Sequence, residues 1–410
     1  MTNNLKHVEA QTLSTFRKHR PSEYFSHLGT GESFAAHDGK VERLYRFGLT
    51  VPPEFFNGRT LVDLGAGTGE HTISLARWGA KCTLVEMNSD AVAVAKGVFS
   101  THAPRFEDHT FINSSLYDID LDAMRGNFDI SHSRGVFTHV ADKARAFRIL
   151  VALAKPGGYV IYGDRNTCGG VQEMLQRYAI YKLGGEDDAR IVDIAEALFK
   201  EDIDRSQATL PRTREAIIFD RWVIQQQDDP SVDDVLTMFE TEGVEYVNSW
   251  PRIDYVGRGT STFSDPRNPV VLRRGARLAE NLWMILNHGE AENVDSQLGE
   301  AGADEYFSGL ARVAGSLRNV QIGTPLEAGD LRAQFTGVRA SGEVTFGSAL
   351  GVARRLRTFF SEVDEFLSMI ETGQSLEVMR RNIDGFEILF KGFAGVRHVD
   401  YVAYKPLQAK

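Results

Sequence analysis

Two acids and three alternating glycines stand at spacings suited to holding a nucleotide-like ligand. Asp63, Gly65, Gly67 and Gly69 fall within Leu61–Gly69, which reads Leu-Val-Asp-Leu-Gly-Ala-Gly-Thr-Gly, and Glu86 follows Asp63 by 23 positions. Glycines at alternate positions let the backbone take conformations closed to other residues and let a ligand lie against it. A carboxylate about 20 residues beyond such a loop can accept hydrogen bonds from both ribose hydroxyls. It would also repel a 2′-phosphate. Glu70 stands where a dinucleotide loop carries its third glycine. A carboxylate there opposes a pyrophosphate, so a cationic or zwitterionic ligand is the better match.

The elements that must position these groups alternate from residue 60 to 165, which predicts a parallel sheet with crossover helices. Strands are expected at Thr60–Leu64, Lys81–Glu86, Phe111–Asn113, Phe128–Ser131 and Tyr159–Gly163. Helices are expected over Glu70–Trp78, Ser89–Phe99 and Lys143–Leu153, with Pro156-Gly157-Gly158 as a helix stop. Further on, Val171–Leu183, Ile191–Phe199, Ser231–Glu242, Val270–Leu286, Ala303–Leu317 and Val352–Met369 have helical spacing. Gly289–Gly302 reads as a polar connection, and Val244–Ser249 and His398–Tyr404 read as late strands. Residues 1–50 are helical in pattern and rich in aromatics, as a packing arm or a lid would be.

Taken together, Val-Asp-Leu-Gly-Ala-Gly-Thr-Gly, Glu86, Phe128-Asp129-Ile130 with Gly135-Val136-Phe137-Thr138-His139-Val140, and Lys155-Pro156-Gly157-Gly158 resemble the class I S-adenosylmethionine-dependent methyltransferases over roughly residues 55–165. The resemblance implies a Rossmann-like, seven-stranded, mostly parallel α/β sheet, with a helical N-terminal arm and large helical C-terminal additions. It implies S-adenosyl-L-methionine as cofactor. The backbone of Gly65, Ala66, Gly67 and Gly69 would hold its methionine and ribose part, Asp63 its ammonium group, Glu86 the ribose hydroxyls and Met87 the adenine face. Family members often carry an aspartate near the end of the third strand. Asn113-Ser114-Ser115-Leu116 stands there instead, making Ser115 and Leu116 the adenine-side candidates. Ser133 and Arg134 would pass close to the sulfonium.

On the acceptor side, His139 is a candidate general base or a residue bonded beneath the loop. Asp164 and Arg165, with Asn166, stand at the end of the fifth strand, where sheet-end ligands bind. Arg212-Thr213-Arg214-Glu215 and Phe219-Asp220-Arg221-Trp222 suit an anionic acceptor group or salt-bridged helices equally. Trp250 and Tyr255 are pocket-wall candidates. The expected domains are an arm over 1–50, a core over 51–255, a mainly helical insertion or acceptor/dimer domain over 256–390, and a returning strand over 391–410.

Composition narrows the partners. The 410 residues carry 46 basic and 56 acidic side chains, a net charge of −10, without the basic patch that phosphate-backbone binding requires. No apolar run reaches bilayer length, and the polar start has no signal-peptide core. Only Cys82 and Cys168 are present, and no Cys/His group has zinc spacing. A cytoplasmic enzyme with a small-molecule acceptor is expected, using neither nucleic acid, membrane nor metal, with a homodimer allowed. O-methylation is favoured over N-methylation, in natural-product or surface-glycan synthesis. The alternatives are an NAD-dependent oxidoreductase on a related fold and a non-catalytic partner subunit that keeps the cofactor fold.

Overall fold

In the computed structural model, the structure describes residues 2–19, 31–185, 187–209, 212–223, 228–253, 272–273, 276–277, 279–280, 283–285, 303–318, 326–346, 350–392 and 397–407. Tyr255 and the Gly289–Gly302 connection lie outside them, as does much of the Val270–Leu286 helix. The chain forms two compact units. One comprises Met1–Asp164, Asp228–Arg273 and His398–Lys410, and the other Arg165–Gln227 and Arg274–Arg397.

The first unit opens with α1 (Thr2–His19), α2 (Gly31–Arg43) and a π-helical turn at Leu44–Gly48. There follow β1 (Thr60–Leu64), α3 (Thr72–Arg77), β2 (Lys81–Glu86), α4 (Ser89–His102), β3 (Thr110–Asn113) and α5 (Leu121–Met124). After these come β4 (Phe128–Arg134), α6 (Lys143–Leu153) and β5 (Ala154–Arg165), whose last residue passes into the second unit. The sheet is completed by β6 (Glu245–Trp250) and β7 (His398–Tyr404) in the order β3-β2-β1-β4-β5-β7-β6. The pairs β1–β2, β1–β4, β2–β3 and β4–β5 are parallel, and β6–β7 is antiparallel. This is the expected Rossmann-like sheet of seven strands.

Leu61, Val62 and Leu64 are wholly buried, as expected of a central parallel strand covered on both faces. Strand order reverses at β1 and β4, so the crevice for a ligand opens at their carboxyl ends. Asn88 and Asp142 cap α4 and α6 through their side chains, which fixes where each crossover helix starts. At the opposite rim Asp129 accepts from the Thr60 amide and hydroxyl, each at 2.8 Å, and from Lys155 at 2.9 Å. Those bonds tie the amino ends of β1, β4 and β5 together.

One expectation changes. The helix α6 does stop at Leu153, but Pro156-Gly157-Gly158 lies inside β5. The β4–β5 register steps from Phe128↔Ala154 to Ile130↔Tyr159, so the three residues form a bulge, where a strand tolerates proline. His139 sits in a 3₁₀ turn (Phe137–His139) after β4.

In the second unit, α7 (Val171–Gly184), α8 (Asp188–Thr209) and α9 (Arg214–Ile218) fold with later helices, whereas α10 (Val232–Thr241) belongs to the first unit. The later helices are α11 (Ala303–Arg318), α12 (Ala328–Phe346), α13 (Leu350–Glu371) and α14 (Leu376–Gly385). Phe359, Val363, Phe366 and Leu367 form a buried stripe on α13.

Candidate cofactor site

The site grows from the turn after β1. Gly65, Gly67 and Gly69 all have positive φ, at 72°, 55° and 79°, which favours glycine. Their surroundings differ. A Cβ at Gly65 would come within 2.5 Å of the Val136 side chain, whereas one at Gly67 would meet nothing within 4 Å. Gly65 is therefore a packing glycine, and Gly67 faces open space such as a ligand fills. Gly65→Ala is expected to cost about 2–4 kcal/mol of stability. Gly67→Ala should cost about 1–2 kcal/mol yet weaken cofactor binding more than tenfold. Thermal unfolding beside titration calorimetry separates them, and wild-type affinity in Gly67→Ala would remove that residue from the cradle.

Glu86 ends β2 and binds the loop. Its Oε2 accepts from the Gly67 amide at 2.9 Å and its Oε1 from the Asn88 amide at 2.8 Å. Burial pushes its carboxyl above the usual range, while those two amides pull the other way. Each oxygen keeps a further lone pair for a hydroxyl donor. Asn113 donates to the carbonyls of Glu86 and Met87 at 2.9 and 3.1 Å, holding the half-buried Met87 at the rim. The open face of Gly67 and the acceptor capacity of Glu86 fit a ribose-bearing ligand.

Other expected residues have protein partners. Ser115 donates to Glu9 of α1, and Leu116 is buried. Ser133 donates to the Leu64 carbonyl at 2.9 Å and is wholly buried, so its hydroxyl is a tie between β4 and β1, not a group turned to a sulfonium. Asp63 is 3% exposed, with Oδ1 2.7 Å from His132 Nδ1 and Oδ2 accepting from Thr72. His132 Nε2 lies 2.9 Å from the Tyr45 hydroxyl. These four side chains form one buried chain linking the N-terminal arm, β4, β1 and α3. Asp63 thus ties β1 to β4 and α3. Sequence reasoning missed His132 and Tyr45. Their signal was polar Ser131-His132-Ser133 inside a strand that should be apolar on both faces.

Arg134 ends β4, lies 2.9 Å from His71 Nε2 through one Nη, and grips Asp400 of β7 at 2.6 and 3.2 Å. Burial, with Arg134, His37 and His132 beside it, pushes His71 well below its usual range against the opposing pull of Asp400. Burial lowers His37 too, helped by Lys40 and Arg134 and opposed by the Glu70 carbonyl and Asp38. On acidification through roughly pH 7 to 5 the unfolded chain takes up protons that native His37 and His71 refuse. Stability is therefore present above the ordinary imidazole pKa and is lost as pH falls toward the lowered native values. Unfolding midpoints should drop between pH 7.5 and 5.5, and less steeply in His71→Gln; an unchanged slope there would exclude His71 as a source.

Each member of the acceptor-side trio has protein partners. Asp164 is 1% exposed and accepts from the Thr138 amide at 2.8 Å and the Tyr162 hydroxyl at 3.1 Å. Within the second unit Arg165 donates to Glu173 at 2.5 Å, and Asn166 donates to Glu280 at 2.7 Å. The His139 ring packs edge-on against Phe16 of α1, with centroids 5.8 Å apart. The arginines of 212–221 are paired: Arg212 with Asp220, Arg214 with Glu196 and Asp204, and Arg221 with Glu173 and Asp202.

Residues 36–185 match the family model described as a methyltransferase domain. These residues form a methyltransferase domain of the class I S-adenosylmethionine-dependent kind. The match implies S-adenosyl-L-methionine as cofactor and gives the oxidoreductase alternative no support. Among curated relatives, an arsenite methyltransferase of Aquipseudomonas alcaligenes is 33% identical over 155 residues, 35% of this chain and 44% of that protein. A ubiquinone biosynthesis O-methyltransferase of Albidiferax ferrireducens is 31% identical over 113 residues, 27% of this chain and 42% of that protein. The chain thus spans less than half the length of these two relatives. The solved YcgJ protein of Bacillus subtilis is 14% identical with a TM-score of 0.32, covering 59% of this chain and 77% of that one. Among the described residues, no helix is long and apolar enough to cross a membrane.

Proposed function

We propose that this methyltransferase moves the methyl group of S-adenosylmethionine to a small or medium-sized organic acceptor, at a hydroxyl in preference to an amine. The observation that carries the reading is Glu86, an acid at the end of β2 bonded to the Gly67 amide of a loop whose outer face is open. When bound, the cofactor supplies an activated methyl on a cationic sulfur. Holding and orientation are then the protein's main task, which can lower the barrier by about 7–11 kcal/mol. The Gly65–Gly69 backbone and Glu86 hold the ribose side, and Met87 covers the base. The preference for a hydroxyl leans on the likeness to the ubiquinone biosynthesis O-methyltransferase.

A hydroxyl acceptor needs its proton removed, and His139, in the turn after β4, is the base in this reading. His139→Gln is expected to lower kcat about a hundredfold with cofactor affinity unchanged. A kcat within threefold of wild type would return His139 to a packing role. The net charge of −10 favours a small acceptor over nucleic acid, and the cytoplasm is the place of work in this reading. Calorimetry with S-adenosylmethionine and S-adenosylhomocysteine tests the reading, followed by labelled methyl transfer to phenols, alcohols and amines. Binding of neither ligand would overturn it.

A further inference from the structure

The Arg134–Asp400 pair crosses a strand. β5 lies between β4 and β7, and Arg134 is in register with Gly163 of β5. A Cβ at Gly163 would stand 2.1 Å from Asp400 Oδ1 and 3.0 Å from Arg134 Cγ. The pair therefore runs over bare backbone and exists because position 163 has no side chain. Arg134 also lies 2.9 Å from His71, two residues past the glycine loop, so this cation stands at the loop's edge. A lone guanidinium there would oppose a cationic cofactor. Charges about 10 Å apart at an effective dielectric of about 20 change an equilibrium constant roughly tenfold.

We infer that Asp400 is a positioning and charge-balancing residue of the cofactor site, cancelling Arg134 so that a sulfonium is accepted in preference to its neutral demethylated product. The inference rests on the cofactor reading above. His398 Nε2, 3.3 Å from Asp400 Oδ1, buttresses the acid from its own strand. Asp400 is 4% exposed, so solvent screens the pair weakly.

The test is the ratio of the dissociation constants for S-adenosylmethionine and S-adenosylhomocysteine, which differ in one methyl group and one unit of charge. Asp400→Asn should raise that ratio about three- to tenfold, because the sulfonium ligand loses its counter-charge and the thioether ligand does not. Arg134→Gln should lower it by a similar factor, and the double variant should return it to near wild type. A merely structural role would weaken both ligands together. Ratios within twofold of wild type in variants that still bind S-adenosylhomocysteine would overturn the inference. Should Asp400→Asn fail to fold, Arg134→Gln carries the test with the opposite sign. If the wild-type protein binds neither ligand, the cofactor reading fails; if it binds both and the ratio does not move, only this inference does.

Discussion

Glu86→Ala is expected to weaken S-adenosylmethionine binding by about a hundredfold or more while leaving the chain folded. The carboxylate acts on both sides of the site. Hydrogen bonds from two ribose hydroxyls to a charged acceptor contribute about 1.5–3 kcal/mol each. The same group holds the Gly67 amide at 2.9 Å and the Asn88 amide at 2.8 Å, so its removal also loosens the loop that receives the ligand. Burial raises the Glu86 carboxyl, which means the native fold bears a cost for keeping it ionised. Loss of the charge should therefore spare stability and fall on binding. Glu86→Gln keeps one acceptor oxygen and should lie between wild type and Ala. Titration calorimetry decides the matter: affinity within threefold of wild type in Glu86→Ala would end the ribose assignment.

The second large effect is on stability. His132→Leu is expected to cost about 3–5 kcal/mol, because it leaves the Asp63 carboxylate buried without its 2.7 Å partner. The Tyr45 hydroxyl, 2.9 Å from His132 Nε2, is left without that contact as well. Burial, with Asp400 and Asp63 nearby, pushes the Tyr45 phenol above its usual range, so the hydroxyl stays protonated at working pH. Replacing both His132 and Asp63 by leucine should recover much of the loss, since a buried pair costs most when only one member is removed. Urea unfolding of the two single variants and the double gives the coupling directly. A loss under about 1 kcal/mol in His132→Leu would show that the chain of side chains is not under this electrostatic demand.

Much of the cofactor half was legible because its signals are local. The glycine loop, the acid ending β2, the span Lys143–Leu153 and the strand His398–Tyr404 stand where periodicity and turn chemistry put them. The partners of side chains were not legible. Ser133 reads the same whether its hydroxyl bonds a strand carbonyl or meets a ligand, and only the register of β4 against β1 decides. Asp63 reads as a ligand group because acids beside glycine loops serve ligands. Its bond to His132, 69 positions later, is not visible in the sequence. Asp400 was out of reach for the same reason, its partner Arg134 standing 266 positions earlier. The units divide at Asp164 and Arg165. The helical spacing after that point does not specify which core its apolar stripe covers.

The order of the strands bears on how the chain is made. β7 pairs with both β5 and β6, yet it is the last of the seven strands to be synthesised, beginning at His398 while β6 ends at Trp250. Among the described residues, the edge strand β6 finds its sheet partner only in β7. At about 5–20 residues per second on the ribosome, β6 and the outer edge of β5 stay unpaired for on the order of ten seconds while the intervening helices emerge. Closing so long a loop adds little to the equilibrium cost, because that entropy grows only logarithmically with length. It delays the sheet's completion all the same. During that interval two open strand edges are exposed to other nascent chains. Asp400 arrives on that same last strand, so in nascent chains Arg134 gains its counter-charge only when the sheet closes.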